Sequence, residues 1–502
     1  MKFYQPPPAP SNAMPRIFSV ERLGKNRVEG FYETPLNTVE YICSKVIDFY
    51  QPGMKIIDPC VGDGIFLYAL ESAGVRKEDL YGYDIDEEKI NKLKEDFPNV
   101  CLFDATYEFP EKFDIMVGNP PYNGDESHYI REHRERLKKT FKEIKPKNTF
   151  SLISYRCFEA LKEGGMFSMI LLDSFMTNTY YQDFRKVLLR DCEIEEMLLA
   201  PRKLFYKISA DVRTCILTCR KKGPNSKDPD VRLVDRVESE EEYWEPKKVE
   251  IVKQSSFDKY PNSTFLVGIP DSIRELYVDA EVRLKDIVLG GTGISTGKDA
   301  VFLRKREEVI DDPEWVPYYK NGSRNAYHYV PKYHIHRDYR KSMEVSKDMK
   351  SNYLIRNKKY FFREGITCSS VGVRFTASYM PEGGLFGVNA NFFFDEKETM
   401  YYTLAFLNTR LAWYFCRNVV IRTNNISANY LRLLPYIEPD TATKTQIAKK
   451  TKTLVQQLQK NEEFDYKELQ TELDNQFLAI YGIKPEGVEA INEFCNNFYD
   501  KM

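Results

Sequence analysis

Long apolar runs are missing from this chain of 502 residues. None reaches the ~20 residues that a membrane-crossing helix needs, and no secretory leader is visible. Cysteine pairing signals are missing too: the ten cysteines are scattered with no Cys-x-x-Cys step. That argues against a zinc or disulfide framework and for reduced, mostly buried thiols, including Cys215 and Cys219 on an apparent strand. His334 and His336 have no acid or cysteine at ligand spacing, so no metal is expected. A net charge of −2 does not advertise nucleic acid, so contact with a polyanion would need cations concentrated locally. The length is sufficient for two or three domains with ample core.

The familiar phosphate-binding glycine patterns are also absent. No Gly-x-Gly-x-x-Gly follows a strand, and Gly290 to Lys298 lacks glycine at 292 and has Asp299 where a P-loop requires Ser or Thr. No nuclease pattern of the Pro-Asp…Asp/Glu-x-Lys kind stands out. What is present is a series of short apolar strands with polar ends. Lys55–Asp58 runs through Pro59-Cys60-Val61-Gly62-Asp63-Gly64 into an apolar-periodic helix from Phe66 to about Ala73. Strand, glycine turn and helix form the first unit of a doubly wound α/β sheet, whose ligands bind at the carboxyl ends of the strands. Leu80–Tyr83 ends in Asp84-Ile85-Asp86, with Asp86 placed to cap a helix from Glu87. Val100–Phe103 ends at Asp104, and Phe113–Gly118 delivers Asn119. One strand-terminal acid is ordinarily a cap or turn residue; four polar strand ends along one sheet edge point to a site. A cationic amine suits Asp58 better than a pyrophosphate does.

Asn119-Pro120-Pro121-Tyr122 is the most informative step in the chain. Two prolines fix their own φ angles, remove two donors and force the residues before them into extended geometry. The result is a stiff strand exit that presents an amide, a carbonyl and an aromatic face. Taken alone it also reads as a turn closing a buried strand.

Taken together, Asp-Pro-x-x-Gly-x-Gly-x-Phe at 58–66, Tyr-Asp-Ile-Asp at 83–86, Asp104, Asn-Pro-Pro-Tyr at 119–122 and Tyr32-Glu33-Thr34-Pro35 resemble the S-adenosylmethionine-dependent DNA adenine-N6 methyltransferases of the TaqI-like type. The resemblance implies an α/β fold: a doubly wound Rossmann-like methyltransferase sheet plus a C-terminal α+β target-recognition domain. It implies a flexible segment 1–28, a catalytic domain 29–265 and a target-recognition domain 266–502 with a helical carboxyl terminus. S-adenosylmethionine is the implied cofactor. Thr34, Pro35 and Asp58 would fix its methionine end, lined by Gly62 and Gly64. Asp84 would accept from the ribose, Ile85 would pack on the adenine, and Asp104 would accept from the adenine amino group. Ala105 stands where the TaqI pattern has an aromatic residue, so a stacking contact has to come from elsewhere, such as a Tyr or Phe of 31–36.

The exocyclic nitrogen of adenine is a poor nucleophile because its lone pair is delocalised into the ring. Asn119, which also borders the cofactor, and Pro120 would accept its two hydrogens, and positioning of this kind is worth roughly 7–11 kcal/mol. The base has to be flipped from the duplex and sandwiched, with Tyr122 on one face. The resemblance puts Phe205, ahead of the strand Thr214–Thr218, on the other; its competing role is core packing.

Between Lys320 and Arg363 twelve Lys or Arg face three acids. Interleaved Tyr327, Tyr329, Tyr333, Tyr339, Tyr353, Tyr360, Phe361 and Phe362 suggest phosphate contacts with stacking. Arg131–Lys147 is a second basic stretch, either beside the DNA or an exposed helix. Gly293-Ile294 with Gly297-Lys298-Asp299, and Leu407-Asn408-Thr409-Arg410, resemble target-recognition sequence, and Thr441–Tyr481 has helical apolar spacing. The expected partners are double-stranded DNA and a separate cognate restriction endonuclease, with no membrane, for a monomer or homodimer in the cytoplasm of a bacterium or archaeon, or encoded by a phage. The alternatives are RNA adenine methylation and methylation of a protein glutamine by the same Asn-Pro-Pro-Tyr site.

Overall fold

The computed structural model describes residues 33–202, 204–205, 212–320, 325–348, 351–370, 374–421 and 426–499. The segment 1–28, Phe31, Tyr32, Lys203, Tyr206, 371–373 and Asn424-Asn425 therefore lie outside the described residues. The described chain forms two compact units that divide between Gly268 and Ile269.

The first unit opens with helix α1 (Leu36–Ile47), whose buried Val39, Ile42, Cys43 and Val46 recur at helical spacing on one face. There follow β1 (Ile56–Asp58), α2 (Ile65–Ser72), β2 (Leu80–Asp84), α3 (Glu87–Leu93), β3 (Asn99–Leu102) and β4 (Phe113–Gly118). After β4 come two short helices, α4 (His128–Glu132) and α5 (Arg134–Thr140), and then α6 (Thr149–Ala160), β5 (Leu161–Leu172) and α7 (Gln182–Asp191). The unit closes with β6 (Cys192–Leu199), β7 (Thr214–Lys221), β8 (Asp230–Val234) and β9 (Val249–Lys253).

These nine strands form one sheet in the order β3-β2-β1-β4-β5-β7-β6-β8-β9, parallel from β3 to β5. The alternation of a strand sorts its side chains into two cores. Ile56, Ile115 and Val117 pack under α1 and α2, while Ile57 and Met116 pack with α6 and α7 on the other side. Each such side chain contributes roughly 1.5–3 kcal/mol by leaving water. This is the expected doubly wound sheet. Its order reverses between β1 and β4, the place where such folds open a crevice.

The second unit, described by itself, is α+β. β10 (Leu289–Gly291), β11 (Leu303–Lys305), β12 (Trp315–Tyr319), β13 (Tyr333–His336), β14 (Gly365–Cys368), β15 (Ala377–Met380), β16 (Leu385–Phe386) and β17 (Asn391–Phe393) form two sheets. Their orders are β10-β17-β14-β15 and β11-β13-β12-β16. Helices Lys397–Leu407, Thr441–Lys460 and Lys467–Ile480 follow, so the helical spacing after Thr441 is realised.

One expectation is corrected here. The aromatics interleaved with cations between 320 and 363 are largely core: Tyr327, Tyr353, Tyr360 and Phe361 are buried, and Tyr360 stacks on Phe393 at 4.9 Å. Tyr329, Tyr333, Tyr339 and Phe362 pack against the same cluster. The cations around them, including Lys332, Arg337, Lys341, Lys347, Arg356 and Lys359, stay exposed. Alternating aromatic and basic residues here place rings inward and charges outward, so these cations, not the buried rings, remain available to a polyanion.

Candidate active site

Asp58, Asp84 and Asn119 come together because β1, β2 and β4 are parallel neighbours that end at the same edge. The turn after β1 is held from β2. Asp84 accepts from Gly62 N–H at 2.8 Å through one oxygen and from Asp86 N–H at 2.9 Å through the other. Gly64, at φ 82°, ends the turn and starts α2; a Cβ there would lie 2.5 Å from Leu93. Asp86 caps α3 by accepting from Glu88 and Lys89 N–H groups, as its position predicts.

Asp58 is fully buried at the end of β1 and accepts from the Cys60 N–H at 3.0 Å. Burial pushes its carboxyl up to about 7, opposed by the Cys60 bond and reinforced by the charge of Asp84. Gly118, at φ 145°, lets β4 pass this close, since a Cβ there would sit 2.6 Å from Asp58 Oδ1. A buried carboxylate with no cation beside it among the described residues is under-compensated. It borders a pocket also lined by Thr34, Gly62 and Asn119. This donor set fits the α-ammonium of a methionine moiety.

An adjoining pocket is lined by Asp84, Ile85, Phe103, Asp104, Ala105, Pro120, Tyr129 and Ile153, among others. Ile85 is 60 % exposed, an apolar side chain held open at a strand tip. Ala105 is buried and offers no ring. The aromatic residues lining this pocket are Phe103 and Tyr129. Neither figured among the expected residues; Tyr129 comes from α4 and shares no motif with Asp104.

At the end of β4, Asn119 Nδ2 donates to Thr34 Oγ1 at 3.0 Å, while its Oδ1 accepts from the Tyr122 hydroxyl at 2.6 Å. The Tyr122 hydroxyl also lies 3.2 Å from the Ile170 carbonyl. Pro35 initiates α1, accepting from the Thr38 and Val39 N–H groups. Past the prolines, Thr149 at the start of α6 donates to the Pro121 carbonyl and accepts from Asn123 N–H. The strand exit is thus fixed at the amide and again at Pro121 and Asn123.

Phe205 departs from its expected place. It is 1 % exposed, inside the core with Leu198 and Ile216, and meets Tyr122 edge-on at 6.5 Å and 73°. In this conformation it backs Tyr122 and presents no open face to a base, because the apolar ring is better covered by β6 and β7 than left at the surface. Among the described residues no cluster of His, Cys, Asp or Glu suits a metal, none of the ten cysteines forms a disulfide, and no helix is long and apolar enough to cross a membrane.

The doubly wound sheet thus gathers a buried acid, a second acid holding a glycine turn and an amide-proline exit at its switch point. Residues 71–205 match the family described as Eco57I restriction-modification methylase. The chain is 26 % identical over 335 residues to adenine-specific methyltransferase PglX of Lacticaseibacillus casei (strain Zhang), covering 59 % of this chain and 27 % of that protein. It is 23 % identical over 296 residues to type II methyltransferase M.VspI of Vibrio sp. (strain 343), covering 55 % of this chain and 67 % of that one. The match thus spans only about a quarter of the length of PglX. Among solved structures, the fold is similar to that of the type IIL restriction-modification enzyme MmeI in complex with DNA, with TM-score 0.57, 12 % identity, and coverage of 93 % of this chain and 75 % of that one.

Proposed function

We propose that this chain transfers a methyl group from S-adenosylmethionine to N6 of an adenine flipped out of duplex DNA. The observation that carries the reading is the braced amide of Asn119 beside a buried acid, both at the switch point of the sheet. Asp58 and Thr34 hold the methionine end, Asp84 the ribose, and Ile85 covers the adenine. Bound S-adenosylmethionine supplies an electrophilic methyl group on a sulfonium.

Asn119 Oδ1 and the Pro120 carbonyl accept the two hydrogens of the target amino group and aim its lone pair. Donation from Nδ2 to Thr34 polarises the amide and strengthens its oxygen as an acceptor. After transfer, the surplus proton on nitrogen is held at these two oxygens and passes to water, so no strong base is needed beforehand. Tyr122 orients Asn119 through its hydroxyl and offers its ring to the base. Phe205 supports that ring from behind and becomes a second wall only if the segment around it rearranges. Residues 266–502 read the target, with the exposed cations of 320–363 on phosphates. A cognate endonuclease on another polypeptide and a cytoplasmic setting complete the reading.

The test offers methyl-labelled cofactor with duplex DNA, RNA or a glutamine-containing peptide, followed by nucleoside analysis. Label should enter duplex DNA as N6-methyladenine, and Asn119→Ala should slow single-turnover transfer about 10³-fold through lost positioning. Transfer to RNA or peptide in preference to DNA, or undiminished transfer by the variant, refutes it.

A further inference from the structure

The adenine end of the pocket holds a polar cluster that methyl transfer does not itself require. Asp104 Oδ1 accepts from the N–H and the hydroxyl of Thr106, at 2.9 and 2.7 Å. Its Oδ2 accepts from the Tyr129 hydroxyl at 2.6 Å and from Arg136 Nη2 at 3.3 Å. A carboxylate has about four acceptor positions, so these four donors fill it. The Arg136 contact is the longest and yields most readily to a new donor. Arg136 also bonds the Tyr129 oxygen at 2.9 Å and lies 4.1 Å over the Tyr107 ring. Its Nε is buried without a hydrogen-bond partner.

Tyr129 and Arg136 belong to α4 and α5, the insertion between β4 and α6. The same helices also expose Arg131, Arg134, Lys138 and Lys139. Arg131 and Lys138 pair with Glu126 and Glu135, while Arg134 and Lys139 make no ion pair among the described residues. One short element therefore grips the acid of the pocket and also shows unneutralised cations to solvent.

We propose that Tyr129 and Arg136 are positioning residues for the adenine of the cofactor, and that α4–α5 couples cofactor binding to duplex DNA. This rests on the methyltransferase reading above. Phosphates on Arg134 and Lys139 hold the insertion closed, keeping Tyr129 on Asp104. The entering adenine amino group takes the acceptor position that Arg136 yields, and Arg136 stays on Tyr129 and Thr106. Coupling of this kind is reciprocal, so DNA raises cofactor affinity by the factor with which cofactor raises DNA affinity.

The experiment measures calorimetric binding of S-adenosylhomocysteine, which cannot react, to the full chain with and without mixed-sequence duplex DNA at low salt. Competition by adenosine and by inosine, which lacks the amino group, is measured alongside. The unmodified protein should gain about tenfold in affinity with DNA and favour adenosine over inosine. Tyr129→Phe, which keeps the ring, and Arg136→Gln should each lose the adenosine preference and the DNA-dependent gain. Arg134→Glu with Lys139→Glu should lose only the gain. Retention of both effects in Tyr129→Phe and Arg136→Gln, with wild-type-like unfolding midpoints, overturns the proposal while leaving the methyltransferase reading intact. Failure of the unmodified protein to bind S-adenosylhomocysteine would instead overturn that reading.

Discussion

Replacing Asp58 with asparagine probes the buried acid at the end of β1. The carboxyl is raised by burial from 3.8 to about 7 in the folded protein. A gap of roughly 3 units corresponds to at most about 4 kcal/mol. The folded value lies above the unfolded one, so this group's contribution to stability is fully present below about pH 4 and is lost as pH rises through about 7. Above that pH the cofactor-free protein carries the whole cost of a buried charge.

An amide in place of the carboxyl would keep an oxygen for the Cys60 N–H and could not ionise. Its new N–H donors give back about 1–3 kcal/mol if they stay unpaired. Asp58→Asn should therefore be about 1–3 kcal/mol more stable than the unmodified protein at about pH 8 and no more stable at about pH 5, by urea unfolding without cofactor. Binding of S-adenosylhomocysteine should move the opposite way. Its ammonium favours ionised Asp58, so affinity in the unmodified protein climbs toward tenfold per pH unit below about 7 and levels off above. In the variant it should be flat and about 10²–10³-fold weaker, as for removal of one partner from a buried ion pair. A variant no more stable at high pH, together with a pH-independent affinity in the unmodified protein, would refute the assignment.

Gly118→Ala should strain the backbone and press on Asp58, costing about 1–3 kcal/mol in unfolding and weakening cofactor binding by calorimetry. Tyr122→Phe removes the hydroxyl on Asn119; single-turnover methylation should fall about 5- to 30-fold, in line with one oriented hydrogen bond, with cofactor affinity unchanged. Arg236→Met leaves Asp173, 2 % exposed at its side chain, without its ion-pair partner and should cost about 3–5 kcal/mol by urea unfolding.

The strand ends were legible in the sequence because short apolar runs closed by Asp58, Asp84, Asp104 and Asn119 can pair in parallel only with those residues along one edge. Asp86 was legible as a cap for local reasons: its carboxylate needs only the nearby N–H groups of the first helical turn. The partners of Asp104 were not. Tyr129 and Arg136 reach it from an insertion whose side-chain directions no spacing rule supplies. Burial was also hidden where composition served two purposes. Phe205 ahead of a strand and the tyrosines among the cations of 320–363 read as stacking faces, with core packing the competing role, and only packing distinguishes the two.

The carboxylate of Asp84 wires the glycine turn shut at both Gly62 and Asp86. A loop already immobilised has little disorder left to surrender when a nucleoside arrives. Amide exchange at Gly62 should be slow before any ligand is added and should change little on association.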